Sequence, residues 1–375
     1  MPLLFFLYPW FRLVMPLPLP LWSRLLIGLL FLVISLKQQF FIVFGGGFFD
    51  PELPGWLIEL YGAAYTILVL LLFSAVARDI LLGLSWLGGR FWGLPALPAL
   101  SVRGFIVLCC LCSLTALYGL YEALKLPEVH SFETEFEKLP SAFDGYRIVQ
   151  LSDLHLSASR GPDWAEEVFK RAMALSPDLI LLTGDFIDGS TERRALDIVP
   201  LKKLRARDGV YGILGNHEYY FDGEAWRKKL EDSGITMLVN ENRIIKKEGS
   251  SVAIAGTADL SAARFGLEAH NTGRALAGAE DSFRILLDHN PKAALENAKA
   301  GAQLQLSGHT HGGMMPLLST IVKAANGGFV KGLYRVENMT LYVSPGTGIW
   351  NGFLVRLGAP AEITLITLRK KKPRP

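Results

Sequence analysis

Apolar residues follow two different patterns along the chain. The first part holds long apolar runs, and two of them, Trp56–Ala77 and Gly104–Tyr121, approach the ~20 residues needed to cross a bilayer. A third run, Leu25–Phe44, is interrupted by Lys37 and two glutamines, and the proline-rich start of the chain is apolar as well. The pattern predicts a transmembrane region of three or four helices in residues 1–125.

The rest of the chain alternates short apolar runs with amphipathic stretches. Each short run is followed directly by Gly, Asp, Thr or Ser, which is typical of strands. The runs are Arg147–Leu151, Leu179–Leu182, Val210–Leu214, Arg284–Leu287 and Ala302–Leu306. Between them, stretches such as Trp164–Leu175 carry apolar residues at helical spacing. Strands that alternate with helices predict an α/β domain over residues 146–375, and we interpret the acidic residues 126–145 as a linker.

Composition agrees with this division. The chain's 375 residues are 19% charged, but only 12 of its 73 Lys, Arg, Asp and Glu residues lie in residues 1–125. The remainder has roughly the 25% charged content of an ordinary globular domain. Because the net charge is only +3, we expect no nucleic-acid partner. All three cysteines lie within Gly104–Tyr121, where we interpret them as apolar packing residues, and three are too few for a disulfide scaffold.

Charge also predicts an orientation in the membrane. The loop formed by residues 78–103 holds three arginines against the single Asp79, whereas the loop before Trp56 holds only Asp50 and Glu52. Because cytoplasmic loops carry an excess of Lys and Arg, the 78–103 loop is predicted to be cytoplasmic. The C-terminal domain then lies outside the cytoplasm. A cytoplasmic domain stays open as the alternative.

Residues with metal-binding chemistry gather at the ends of the predicted strands. Five of the seven histidines lie there, namely His155, His217, His289, His309 and His311. Their polar neighbours are Asp153, Asp185, Asp188 and Asn216. In α/β domains the carboxyl ends of strands meet at one edge, so these side chains are expected to lie close together. Carboxylate and imidazole ligands without thiolates suit Mn, Fe or Zn and argue against a structural zinc site.

Five short motifs in this region resemble the motif blocks of the calcineurin-like metallophosphoesterases. They are Asp153-Leu-His155, Gly184-Asp185-Phe-Ile-Asp188, Gly215-Asn216-His217-Glu218, His289 and Gly308-His309-Thr-His311. The resemblance covers residues 143–368 and implies a layered α/β/β/α domain. The apolar N-terminus and the tail motifs at 346–350 and 356–362 resemble the bacterial membrane-anchored branch, which includes enzymes related to UDP-diacylglucosamine hydrolases. This resemblance implies a multi-pass protein of the bacterial inner membrane.

The resemblance also implies a site for two divalent metal ions. The ligands implied for the first ion are Asp153, His155 and His311, and those for the second are Asn216, His289 and His309. Asp185 would bridge the ions, and a water held between them would attack phosphorus in line. His217 would protonate the leaving oxygen, and Asp188 would orient His217.

Two positions depart from the family pattern. Glu218 stands where many members have Asp, a change that we expect to be tolerated, and Pro345 stands where relatives often have Arg. Two further residues have more than one interpretation. For His270, a plain surface loop is favoured over a substrate loop, and Trp350 is either a substrate-stacking residue or a buried aromatic.

These observations predict a membrane-anchored phosphoesterase that hydrolyses a phosphodiester or pyrophosphate bond. Tethering to the bilayer favours a lipid-linked phosphoester substrate. The alternative is a non-catalytic receptor or accessory protein whose metal domain only binds phosphate groups, but the complete ligand set and His217 favour the enzyme. The sequence leaves the oligomeric state open.

Overall fold

A computed structural model describes residues 2–372 of the chain. These residues form two compact units. One unit contains the N-terminal helices up to Glu122 together with Asn351–Val355, and the other spans Ala123–Trp350 and continues from Arg356. The predicted boundaries at residues 125 and 145 stay predictions.

The first unit is helical. Its helices are α1 (Pro2–Pro9), α2 (Leu21–Ser35), α3 (Lys37–Gly45), α4 (Gly55–Trp92) and α5 (Val102–Leu124). Within residues 2–372, α4 and α5 are long and apolar enough to cross a membrane, and α2 with α3, bent by 57°, would make a third span. The structure therefore offers two or three candidate spans, at the low end of the predicted three or four.

Helix α4 continues past the predicted end of its apolar run. Its 38 residues would measure about 57 Å at ~1.5 Å per residue, which exceeds the ~30 Å hydrocarbon core. The helix includes Arg78 and Asp79, which the sequence placed in a loop. Asp79 accepts hydrogen bonds from Arg12 Nε (2.6 Å) and Tyr8 OH (2.7 Å), so its charge is paired where the helix continues. Gly93, with φ of 66°, ends the helix, and the connection to α5 is shorter than predicted.

The second unit contains two six-stranded sheets. The strands are β1 (Glu128–Phe136), β2 (Tyr146–Leu151), β3 (Leu179–Thr183), β4 (Val210–Ile213), β5 (Thr236–Met237), β6 (Glu241–Lys247), β7 (Ser250–Gly256), β8 (Phe283–Leu287), β9 (Leu304–Ser307), β10 (Gly332–Val336), β11 (Met339–Val343) and β12 (Glu362–Lys370). Their order is β1-β12-β2-β3-β4-β5 in one sheet and β10-β11-β9-β8-β7-β6 in the other. The helices are α6 (Pro162–Ala174), α7 (Asn216–Tyr220), α8 (Gly223–Glu231), α9 (Thr272–Leu276), α10 (Ala294–Lys299) and α11 (Pro316–Ala325).

Alternating side chains of the central strands build the layers. Ile148 of β2 packs in the core between the two sheets, whereas the next residue, Val149, packs on the other face against α6. On the second sheet, Ile285 faces the inter-sheet core and Leu286 packs in a third cluster with α9 and α10 residues. Strands buried on both faces read as continuous apolar runs, which is the pattern that predicted them. The predicted layered α/β domain after an apolar helical region is confirmed.

Part of the segment interpreted as a linker belongs to the first sheet. Residues 128–136 form β1, which pairs in parallel with all of β12. The strand lies at the edge of the sheet, and most of its residues are exposed or half-buried. An exposed edge strand needs few apolar residues, so its polar composition resembled that of a linker.

Candidate metal centre

The predicted site residues follow the carboxyl ends of strands from both sheets. Asp153 and His155 follow β2, Asp185 and Asp188 follow β3, and Asn216 and His217 begin α7 after β4. His289 follows β8, and His309 and His311 follow β9. The pairs β2–β3, β3–β4 and β8–β9 are parallel, which brings their carboxyl ends to the same edge.

The backbone at these strand ends is strained. Five of the predicted metal ligands have φ in the left-handed region, which non-glycine residues seldom adopt. They are Asp153 (54°), His155 (48°), Asp185 (55°), His309 (68°) and His311 (48°). Such residues cost about 1–3 kcal/mol each and cluster at active sites and ligand clamps. Five such residues at one edge of the domain favour a functional role for this edge.

Glycines allow the turns to approach one another closely. Gly184 has φ of 92°, so it supplies the sharp turn expected before Asp185. Gly215 and Gly308 serve a different purpose, because neither has a positive φ. A Cβ on Gly215 would lie 2.2 Å from Asp185 Oδ1, and one on Gly308 would lie 2.0 Å from Ser152 Oγ. These two glycines make room for neighbouring strand ends.

The first predicted ligand group brings two imidazole nitrogens and a carboxylate oxygen close together. The Nε2 atoms of His155 and His311 lie 3.1 Å apart. His311 Nε2 is 3.5 Å from Asp153 Oδ1, and His155 Nε2 is 4.0 Å from the same oxygen. All three side chains are almost completely buried. Carboxylate and imidazole lone pairs that converge in this way fit a divalent cation.

The second predicted group meets at the Asn216 side-chain oxygen. Asn216 Oδ1 lies 3.2 Å from His289 Nε2 and 2.7 Å from His309 Nδ1. His289 Nδ1 donates to the carbonyl oxygen of Thr183 (2.7 Å), which turns its Nε2 atom toward the site. Burial lowers the pKa of His309 to about 4, so its imidazole is neutral at pH 7, as a metal ligand must be.

Asp185 lies between the two groups. Its Oδ2 atom is 3.7 Å from His155 Nε2 and 3.2 Å from His289 Nε2. Its other oxygen, Oδ1, accepts a hydrogen bond from the backbone N–H of His217 (2.9 Å). Among residues 2–372, three overlapping sets of acidic and histidine side chains have candidate ligand atoms within 4.8 Å of one another, and one of these sets includes His217. The structure brings all seven predicted ligands together, and their assignment to individual ions stays a prediction.

Asp188 contacts two histidines at once. Its Oδ1 atom lies 2.5 Å from His217 Nδ1 and 3.1 Å from His155 Nδ1. Burial alone would raise the pKa of Asp188, but the two imidazoles hold it below its usual value. Burial alone would lower the pKa of His217, but Asp185 and Asp188 raise it to about 9. Asp188 therefore contacts a predicted ligand as well as the predicted proton donor.

Glu218 has a structural role that sequence reasoning missed. Its carboxylate accepts backbone N–H groups from Gly215 (2.7 Å), Asp185 (3.0 Å), Phe186 (2.7 Å) and Ile187 (3.2 Å). The side chain is fully buried. It therefore ties the end of β3 to the end of β4. The position of Glu218 next to His217 in the sequence could have indicated a role at the site, but only the fold shows which backbone groups its side chain reaches.

A buried arginine holds the segment after β11 against the site. Arg356 is 1% exposed, and it donates to the carbonyl oxygens of Pro345 (2.9 Å), Gly348 (2.5 Å) and Ala359 (2.8 Å). Gly348 in turn donates its N–H to the carbonyl oxygen of Asp153 (2.9 Å). The tail motif contained Arg356, but its spacing gave no indication of this role.

His270 and Trp350, the two residues with more than one interpretation, have different surroundings. His270 is not on a plain surface loop, because its side chain is only 7% exposed and its Nε2 lies 3.2 Å from Asp288 Oδ2. Trp350 is half-buried, and its ring centroid is 6.0 Å from that of His217. The prediction for His270 is therefore wrong, while the substrate-stacking interpretation of Trp350 stays open.

Comparisons with known proteins match the second unit to one family. The model of the calcineurin-like phosphoesterase family matches residues 146–313. A "Transmembrane protein with metallophosphoesterase domain" of Danio rerio is 34% identical over 360 residues, which are 92% of this chain and 80% of that protein. An uncharacterized metallophosphoesterase of Campylobacter jejuni is 32% identical over 350 residues, which are 92% of this chain and 89% of its own.

Among solved structures, a 5'-nucleotidase precursor from Thermus thermophilus aligns with a TM-score of 0.40 at 16% identity. The alignment covers 59% of this chain and 54% of that one. The relatives in zebrafish and Campylobacter extend over the apolar helices as well as the metal centre. This chain belongs to the calcineurin-like phosphoesterase family.

Proposed function

We propose that this protein is a membrane-anchored, dinuclear-metal phosphoesterase that hydrolyses a phosphodiester or pyrophosphate bond. The observation that carries the proposal is the position of the Asp185 carboxylate between two groups of converging ligands. The first ion would be held by Asp153, His155 and His311, and the second by Asn216, His289 and His309. Asp185 would contact both ions, which we expect to be Mn, Fe or Zn.

Two divalent cations would supply Lewis-acid stabilisation of the phosphoryl oxygens and a nucleophile at neutral pH. His217 would donate the proton that the leaving oxygen needs, because its Nδ1 is held by Asp188, a carboxylate that favours the protonated imidazole. The Trp350 ring beside His217 would border the substituent on the leaving side. Strained, buried ligands arranged before substrate arrives reduce reorganisation during the reaction.

The substrate proposed is a lipid-linked phosphoester. The apolar helices α4 and α5 would hold the metal centre near the bilayer, where amphiphilic substrates concentrate. We further propose a multi-pass protein of the bacterial inner membrane, related to the UDP-diacylglucosamine hydrolase-like branch, with an extracytoplasmic domain. Protease digestion of intact spheroplasts tests the orientation. Cleavage of the second unit only after lysis would contradict the extracytoplasmic placement.

The chemistry is tested with the full chain purified in detergent with Mn²⁺ and assayed on an activated aryl phosphodiester. Asp185→Asn removes a charge from the shared ligand and is expected to lose metal and activity together. His217→Ala is expected to keep its metal and lose about 10²–10⁴-fold in rate. His130→Ala, an exposed histidine on β1, is the matched control and should keep wild-type activity.

Two results would contradict the proposal. Wild-type rates from both site variants would show that hydrolysis does not occur at this centre. Bound metal without turnover on diesters, pyrophosphates and lipid-linked phosphoesters would favour the non-catalytic phosphate-binding receptor instead.

A further inference from the structure

Helix α11 presents an apolar face to solvent on the metal-centre unit. It runs from Pro316 to Ala325, and its apolar residues occupy one side while Ser319, Thr320 and Lys323 occupy the other. None of its residues is buried. Leu317 is 57% exposed and Ile321, one turn later, is 64% exposed. A water-soluble surface helix would turn this side toward the core.

The charge around α11 has one sign. Residues 297–336 contain no aspartate or glutamate, whereas they contain four cationic side chains. These are Lys299, Lys323, Lys331 and Arg335. Lys323 lies on α11 itself and is exposed, and the Lys331 side chain lies beside Gly312 of the loop that precedes the helix. An amphipathic helix in a stretch of sequence that carries cations and no anions complements an anionic lipid surface.

The helix is joined to the metal centre by a short, strained connection. It begins five residues after His311, and four consecutive residues, His311 to Met314, have positive φ of 48°, 61°, 76° and 60°. A Cβ on Gly313 would lie 2.3 Å from Ser319 Cα, so this connection packs tightly on the helix. A surface that binds α11 would therefore lie close to a predicted metal ligand.

We propose that α11 is an interfacial helix whose Leu317 and Ile321 enter the headgroup region of a membrane rich in anionic phospholipid. The occupant is a bilayer because the same chain carries helices long and apolar enough to cross one. Lys323 and Lys331 contribute through attraction to the anionic headgroups. This membrane contact is separate from the spanning helices and does not depend on the proposed hydrolysis.

The test uses the full chain reconstituted in vesicles of phosphatidylcholine and phosphatidylglycerol. In a background with Cys109, Cys110 and Cys112 replaced by alanine, Ile321→Cys carries an environment-sensitive fluorophore. Leu196→Cys is the matched control, since Leu196 is also an exposed apolar residue, at 75%. Interfacial helices lie ~5–10 Å deep, so lipids with a shallow nitroxide should quench the 321 probe at least about twofold more than the 196 probe.

A second variant and a second measurement keep the test decisive. Leu317→Glu should abolish the extra quenching at position 321, and α11 has no buried residue whose loss would unfold the domain. Hydrogen exchange of the unmodified chain should show slower exchange in 316–325 in anionic vesicles than in vesicles of phosphatidylcholine alone. Equal quenching of the two probes, or a 321 probe shielded from both lipid nitroxide and aqueous iodide, would overturn the proposal. The shielded result would mean that protein covers the helix.

Discussion

The candidate metal centre and the helical unit both hold side chains whose surroundings do not match their polarity, but the mismatch is opposite in the two regions. At the centre, buried carboxylates and imidazoles converge on the same points, as in the 3.1 Å approach of two Nε2 atoms from His155 and His311. In the helices, leucines and aromatic residues such as Trp56 and Leu114 are 65% exposed each. The first region is suited to cations and the second is suited to lipid. The polarity of a side chain alone therefore does not show whether it lacks a partner. Burial decides, because a buried polar group and an exposed apolar side chain each call for one.

This comparison predicts that the metal-centre unit depends on buried polar contacts more than on any single apolar one. Arg356→Ala removes a buried cation that donates to four carbonyl oxygens around the site. We expect a loss of about 3–5 kcal/mol in the free energy of unfolding, since those acceptors are left buried without donors. Thermal unfolding in detergent measures it.

Arg369→Ala is the control for this variant. Arg369 pairs with Glu133 at the surface, and exposed pairs contribute only ~0–1 kcal/mol. Equal destabilisation by the two arginine variants would contradict the role assigned to Arg356.

Removing metal should affect only one of the two regions. If the centre binds cations, metal at 100 times its dissociation constant stabilises the folded unit by about 2.7 kcal/mol. Hydrogen exchange with and without chelator should show faster exchange in the loops that carry His155 and His309, and unchanged exchange in α4. A uniform change over both units, or the same response in Asp185→Asn, would contradict a localised metal site.

Asp188→Asn tests whether orientation of two histidines matters separately from their presence. The amide keeps the shape of the side chain but loses the charge that faces His155 and His217. We expect a loss of about 10–100-fold in activity or metal affinity, as is typical of residues that orient ligands. Metal content and rate, measured on the same preparation, separate the two effects. Asp144→Asn, far from the site on a surface turn, should match wild type.

The smallest effect is expected within the helical unit. A Cβ on Gly28 of α2 would lie 2.6 Å from the Trp10 ring nitrogen, so Gly28→Ala should cost about 1 kcal/mol through overpacking. A Cβ on Gly83 of α4 meets nothing within 4 Å, and Gly83→Ala should be neutral or slightly stabilising. Thermal unfolding in detergent distinguishes the pair. A neutral Gly28→Ala would show that α2 and Trp10 are not closely packed.

Local signals predicted much of the fold. The strands β2, β3, β8 and β9 read as apolar runs because both of their faces are covered, whereas β11, which is buried at every position, was not predicted. Strand β1 was missed because it lies at an exposed edge, where polar residues suffice. Helix α4 was predicted too short because Asp79 interrupts the apolar run, while its partners Arg12 and Tyr8 are more than 60 residues away.

The sequence by itself determined the residue types of the centre and their order along strand ends, because metal chemistry restricts which side chains can serve. It also determined that the N-terminal part is apolar enough for a membrane. Only the tertiary structure decided that Asp188 holds two histidines, that Glu218 ties two strand ends together, and that Arg356 supports the segment beside Asp153. Asp188 contacts side chains 29 and 33 residues away in the chain, and Glu218 reaches the backbone of Asp185 33 residues away, whereas Arg356 reaches carbonyl groups within 11 residues. The order of side chains along the sequence does not show which backbone carbonyl or N–H group the fold will bring within 3 Å of a given side chain.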